Sequence, residues 1–205
     1  MEYNTVASRD AITKVIEGLK ERNVEGIFVS SRADALEKIK SLIPEGASVM
    51  NGSSRTLEEI GYVDYLKGGT HGWNNLHANV LAEKDPEKQK LLRKQSVVSD
   101  YYLGSVHGLA ETGEFIVASN TGSQLPHVVF TSQNVIFVVG AQKIVPTLTD
   151  AFDRLEKYVL PLEDENMMGK YKMRSQISKV VVFRKEGTIV GRKILLIIVN
   201  EKLGF

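Results

Sequence analysis

The residues of this chain best placed to do chemistry stand in one string, Asn51, Gly52, Ser53, Ser54, Arg55 and Thr56, between a short apolar segment and a run that reads as a helix. A strand that passes through glycine and small polar residues into a helix is an anion-binding arrangement. Backbone N–H groups at a helix start have no partner within the helix, and the aligned peptide dipoles place partial positive charge there. Gly52 lets the backbone approach a ligand closely, Ser53 and Ser54 add hydroxyl donors, and Arg55 adds a charged fork. Thr56 and Glu59 have the spacing of a capping box, which sets the helix start at Thr56. The plainer reading of the same string is a serine-rich connector with one cap.

Two further clusters lie at expected strand ends. Glu111, Thr112 and Gly113 separate two apolar segments, Tyr101 to Ala110 and Glu114 to Ala118, with Gly113 supplying the backbone freedom of a tight turn. Lys143 follows Gly140 at the exit of the apolar strand Asn134 to Val139, where an ammonium can pair with a phosphate or carboxylate also held at Gly52 to Thr56. Asn120, in an SNTGS string, could donate to substrate hydroxyls. Each has a bland counterpart: a solvated hairpin turn, a surface lysine and an ordinary loop. His71, His77, His107 and His127 have no metal-ligand spacing, so neither a metal nor a resident cofactor is expected. His107 reads as a structural histidine, with proton transfer as the alternative.

The elements that must position these residues are read from periodicity. Ile12, Val15, Ile16 and Leu19 recur at helical spacing, Ile27 to Val29 form a strand, Ser31 with Asp34 caps a helix carrying Leu36, Ile39 and Ile43, and Pro44 to Gly46 turn into the strand Ala47 to Met50. Asp85 and Pro86 start a charged helix, and Leu148, Ala151, Phe152, Leu155 and Val159 mark another with a buried face. Short apolar strands alternating with amphipathic helices predict an α/β fold with a mostly parallel, Rossmann-like sheet flanked by helices. Such sheets bind ligands beyond the carboxyl ends of their strands, where the Gly52 loop falls. Val180 to Phe183 and Ile194 to Val199 predict a C-terminal hairpin or strand pair, and Gly61 to Asn79, with Trp73, reads as short helical pieces and loop that could cover a pocket.

Composition narrows the partners. With 42% hydrophobic and 25% charged residues over 205 positions, the chain reads as a single domain, 1–205. Lys and Arg total 26 against 25 for Asp and Glu, so no global field draws nucleic acid or anionic membrane and any anion must be held locally. There is no cysteine, which excludes disulfides and thiolate-held zinc or iron–sulfur clusters in the chain itself. The start lacks the pattern of a signal peptide and the longest aliphatic run is far short of the ~20 residues of a membrane helix, so a cytoplasmic location is expected.

In order, NGSSRTLEEIG, SDYYLGSVHGLAETGEF, NTGSQLPHVVF, NVIFVVGAQKIVPTL and VNEKLGF make the chain similar to the lactate-utilisation (LUD) domain family, the LutC/YkgG-like proteins, over residues 5–205. The resemblance implies the fold of glucosamine-phosphate isomerases, ribose-phosphate isomerases and CoA transferases. It implies a context of bacterial lactate oxidation, with iron–sulfur proteins as partner subunits and self-association left open. On the family motifs, the site residues are Gly52, Ser53, Ser54, Glu111, Thr112, Gly113, Asn120, Gly140 and Lys143, with Glu111 as general base or carboxylate nucleophile by likeness to CoA transferases. Many relatives carry a cysteine-rich tail, where this chain has LEDENMMGKYKMRSQISK. The expected function is therefore an accessory or catalytic subunit of lactate or small hydroxy-acid metabolism that binds a small anionic metabolite. The alternatives are a stand-alone isomerase, hydrolase or transferase acting on a phosphorylated sugar or acyl-CoA, and a non-catalytic binding module.

Overall fold

The computed structural model describes residues 2–205. The first half runs α1 (Arg9–Glu21), β1 (Glu25–Val29), α2 (Arg32–Leu42), β2 (Ser48–Asn51), α3 (Arg55–Glu59), α4 (Tyr62–Lys67), β3 (Asn74–Asn75), α5 (Leu76–Ala82) and α6 (Pro86–Gln95). The second runs β4 (Tyr101–Gly104), β5 (Gly108–Ala110), β6 (Phe115–Ser119), β7 (Asn134–Gly140), β8 (Ile144–Val145), α7 (Leu148–Arg154), α8 (Leu160–Tyr171), β9 (Lys179–Phe183) and β10 (Lys193–Val199). Local chemistry starts the helices, at α2 and α6 where the sequence predicts. Ser8 Oγ accepts from the Ala11 N–H at α1, Ser31 and Asp34 complete a capping box at α2, and Asp85 accepts from two N–H groups of α6 with Pro86 in its first turn.

Six strands form an all-parallel sheet in the order β1-β10-β7-β4-β2-β3. Successive side chains of a strand point to opposite faces. Ile194, Leu196 and Ile198 of β10 and Val135, Phe137 and Val139 of β7 therefore pack into one core with α1, while Leu195, Ile197, Ile136 and Val138 pack into another with Ala35 and Ile39 of α2. Both faces are covered, which is why these two strands read as unbroken apolar runs.

A second sheet, β8-β5-β6-β9, lies against the first core. Phe115 of β6 stacks on Phe183 of β9 with centroids 4.5 Å apart, and Phe137 of the main sheet meets Phe115 edge-on at 5.7 Å. This sheet revises two expectations. The segment Tyr101 to Ala110 is two strands: β4 belongs to the parallel sheet, and after Ser105 to His107 the chain crosses to β5. The C-terminal strand pair is present, but its members part. β10 has six buried residues of seven and lies in the interior of the parallel sheet, whereas β9, half-exposed along most of its length, is an edge of the small one.

Gly61 to Asn79 holds the short helix α4, the two-residue strand β3 and the start of α5. Trp73 is buried beside Tyr62 and Tyr65, and its indole N–H donates to the Ile43 carbonyl at 3.1 Å, so it is a core aromatic. No helix among the described residues is long and apolar enough to cross a membrane.

Candidate functional site

A cavity of about 440 Å³ is bounded by the carboxyl ends of β2 and β4, by the end of β6 and by the first turns of α8. Asn51, Gly52, Ser53, Ser54, Arg55 and Thr56 all line it. Asn120 and Lys143 line it too. The sheet topology thus brings together residues as far apart in the chain as Asn51 and Lys143.

The local reason differs from the sequence reading at one point. Ser54, not Thr56, caps α3: its Oγ accepts from the Leu57 N–H at 3.3 Å. Moving the cap two residues upstream puts Thr56 inside the first turn and frees its hydroxyl, and Glu59 turns away from the helix start. The Glu59 carboxylate accepts from Arg55 Nε at 2.9 Å and from the Gly204 N–H at 2.8 Å instead. A helix of five residues carries a weak dipole, so the main positive charge of the cavity has another source.

That source is Lys143. It follows β7 in a 3₁₀ turn, Ala141–Lys143, and its side chain is only 3% exposed. Nζ donates to Thr56 Oγ1 at 3.1 Å, to Ser105 Oγ at 3.1 Å and to the Val106 carbonyl at 3.3 Å. Both hydroxyls spend their own protons elsewhere, Thr56 on the Leu203 carbonyl and Ser105 on the Val138 carbonyl, so each can only accept from the ammonium. Three neutral acceptors solvate the charge, and among the described residues no carboxylate pairs with it. Burial, reinforced by the nearby Arg154 guanidinium and opposed by Glu59, pulls the Lys143 pKa down to about 7.

Arg154 adds to the imbalance. It is fully buried, gives one N–H to the His107 carbonyl at 2.6 Å, and leaves Nε and Nη2 without acceptors among the described residues. Tyr158 places its ring 5.2 Å from the guanidinium. His107 lines the cavity, but its Nδ1 accepts from the Ala118 N–H at 3.1 Å, and burial together with Lys143 and Arg154 pulls its pKa down to about 3. It is a neutral hydrogen-bond acceptor that ties β6 to the preceding segment.

Glu111, Thr112, Gly113 and Gly140 do not line the cavity. The Glu111 carboxylate pairs with Lys14 of α1 at 3.2 Å, and the Thr112 carbonyl accepts from Arg22 Nε at 2.9 Å. Gly113, at φ +92°, lies against the backbone of Gly18 and Leu19, where no side chain fits. The turn is therefore a docking point for α1. Gly140 is equally confined, by Gln142 and the backbone of Leu203. Ser105, Gln124 and Arg154 were not singled out from sequence, and His77 was weighed only as one of four histidines without metal-ligand spacing. Ser105 and Gln124 carry no local signal, but Arg154, three residues after Ala151, extends the buried face of α7 as a charge.

The model of the LUD domain matches residues 12–180. The chain belongs to the LUD domain family. A crystal structure of a DUF162 family protein from Deinococcus radiodurans matches with a TM-score of 0.58 at 12% identity, covering 95% of this chain and 99% of that one, which establishes likeness of fold. No curated protein matches this LUD domain.

Proposed function

We propose that this LUD-domain protein binds a small anionic metabolite in the cavity at Lys143 and serves, in the cytoplasm, as an accessory or catalytic subunit of lactate or similar small hydroxy-acid metabolism, alongside iron–sulfur partner subunits. One observation carries the reading: a buried ammonium at the cavity wall is hydrogen-bonded to three neutral oxygens and has no carboxylate partner among the described residues. A buried charge without a counter-ion is costly, and an anion in the cavity relieves that cost. Arg93 and Arg55 also line the cavity, against Glu163 as the acid on its wall. The reading as a stand-alone transferase or isomerase gave the chemistry to Glu111, whose carboxylate is paired with Lys14 outside the cavity.

The test is a thermal-shift titration with L-lactate, glycolate, inorganic phosphate and a sugar phosphate. A ligand at ~100 times its dissociation constant adds about 2.7 kcal/mol, which for a domain of this size raises the midpoint by roughly 5–10 °C. The shift should vanish in Lys143→Met. A wild-type midpoint that moves with none of these anions removes the proposal.

A further inference from the structure

The cavity also carries unfilled acceptors. Asn51, 5% exposed at the carboxyl end of β2, donates from Nδ2 to the Gly52 carbonyl at 3.1 Å, and its Oδ1 is buried with no donor among the described residues. That orientation is dictated by the bond it makes, since exchanging the two atoms would set Oδ1 against the Gly52 carbonyl. His77 lies beside it. Burial lowers the His77 pKa, against the raising effect of the Asn51 backbone carbonyl, so the ring is neutral near pH 7, and its Nδ1 is likewise buried without a partner. The third acceptor is Gln124. Its Nε2 donates to the Ala118 carbonyl at 3.0 Å, which leaves Oε1 facing Gly52, where a Cβ would come within 3.0 Å of it. The Tyr102 hydroxyl also lies beside Gly52, yet Asn51 Oδ1 has no donor. All of these residues line the cavity whose wall carries Lys143.

We propose that Asn51 is a specificity-determining residue that accepts a hydrogen bond from the ligand, so that the site selects an anion bearing its own O–H or N–H donor and discriminates against the matching anion that lacks one. This rests on the proposed anion site at Lys143 and sharpens it. A buried acceptor left unmatched costs about as much as a hydrogen bond is worth, and sites built to bond a ligand hydroxyl reject analogues without it. The class selected is a hydroxy acid, or its amino counterpart, over the keto acid or the plain carboxylic acid.

The experiment titrates L-lactate, pyruvate and propionate into the wild-type chain by calorimetry, with thermal shift as a second readout. L-lactate should bind at least ~10-fold more tightly than propionate or pyruvate. In Asn51→Leu, of the same branching and without the acceptor, L-lactate should fall to the affinity of propionate while propionate changes by less than about 3-fold. Propionate binding as tightly as L-lactate would leave the anion site standing and overturn this inference alone. Loss of all three ligands to the same degree in Asn51→Leu would assign Asn51 a structural role and also overturn it. Should none of the three bind the wild type, this inference falls, and the anion site falls with it only if glycolate, inorganic phosphate and the sugar phosphate also leave the midpoint unmoved. If Asn51→Leu does not fold, the ratio of L-lactate to propionate on the wild type decides alone.

Discussion

Replacing Lys143 by methionine should abolish anion binding and, in the same step, stabilise the ligand-free protein at low pH. The drop of the Lys143 pKa from 10.5 to about 7 corresponds to roughly 5 kcal/mol held against folding when the group is charged, at ~1.4 kcal/mol per tenfold change, an upper bound because protein relaxation and water penetration reduce it. Methionine keeps the aliphatic stem but gives up the bonds to Thr56, Ser105 and Val106, and a carbonyl left without its donor costs about 1–3 kcal/mol. The net expectation is about 2 kcal/mol in favour of the variant, or a midpoint higher by roughly 4–8 °C. The dependence on pH gives the sign. Between about 7 and 10.5 the unfolded chain holds a proton on Lys143 that the folded chain has released, so wild-type stability rises with pH through that window. The advantage of Lys143→Met is therefore fully present below about pH 7 and shrinks above it, by up to ~2.7 kcal/mol at pH 9, two pH units at ~1.4 kcal/mol each, which is enough to cancel it. Thermal melts of both proteins at pH 6 and pH 9 measure this, since other groups titrate alike in each and cancel in the difference. A variant that melts below the wild type at pH 6, or a gap equal at the two pH values, would refute the account of Lys143 as an uncompensated buried charge.

Three further outcomes follow from the placement of the other residues. Glu111→Gln should leave the ligand-induced shift unchanged and alter stability by less than ~1 kcal/mol, because its partner Lys14 is 65% exposed; calorimetric titration with the ligand found for the wild type checks it, and lost binding would return Glu111 to the site. Gly18→Ala should destabilise by about 2–4 kcal/mol, since its Cβ would stand 2.5 Å from the Thr112 carbonyl oxygen where α1 meets the Glu111 turn; denaturant unfolding reads the loss, which a near-neutral result would contradict. The His107 ring, with its pKa lowered to about 3, should show no titration by NMR between pH 5 and 8, so an inflection in that range would remove its assignment as a buried neutral acceptor.

By itself the sequence determined the α/β alternation, the helix caps at Ser31 and Asp85, and the place of the loop from Asn51 to Thr56 at a strand's carboxyl end. Those features are short-range: period, cap and turn are written within a few residues of one another. Tertiary structure decided which strand-end residues meet. Glu111 and Lys143 were equivalent in sequence, each beside a glycine after an apolar segment, yet β5 carries the first onto α1 while β7 carries the second beneath Thr56 and Ser105. The separation of β9 from β10 was likewise invisible locally, because a strand followed by a turn and a strand reads as a hairpin until both faces of one strand are claimed by different layers. The acceptor at Asn51 and the unpaired charge at Lys143 belong to the same class. A side chain's type is given by the chain, but whether it finds its partner depends on every element packed around it.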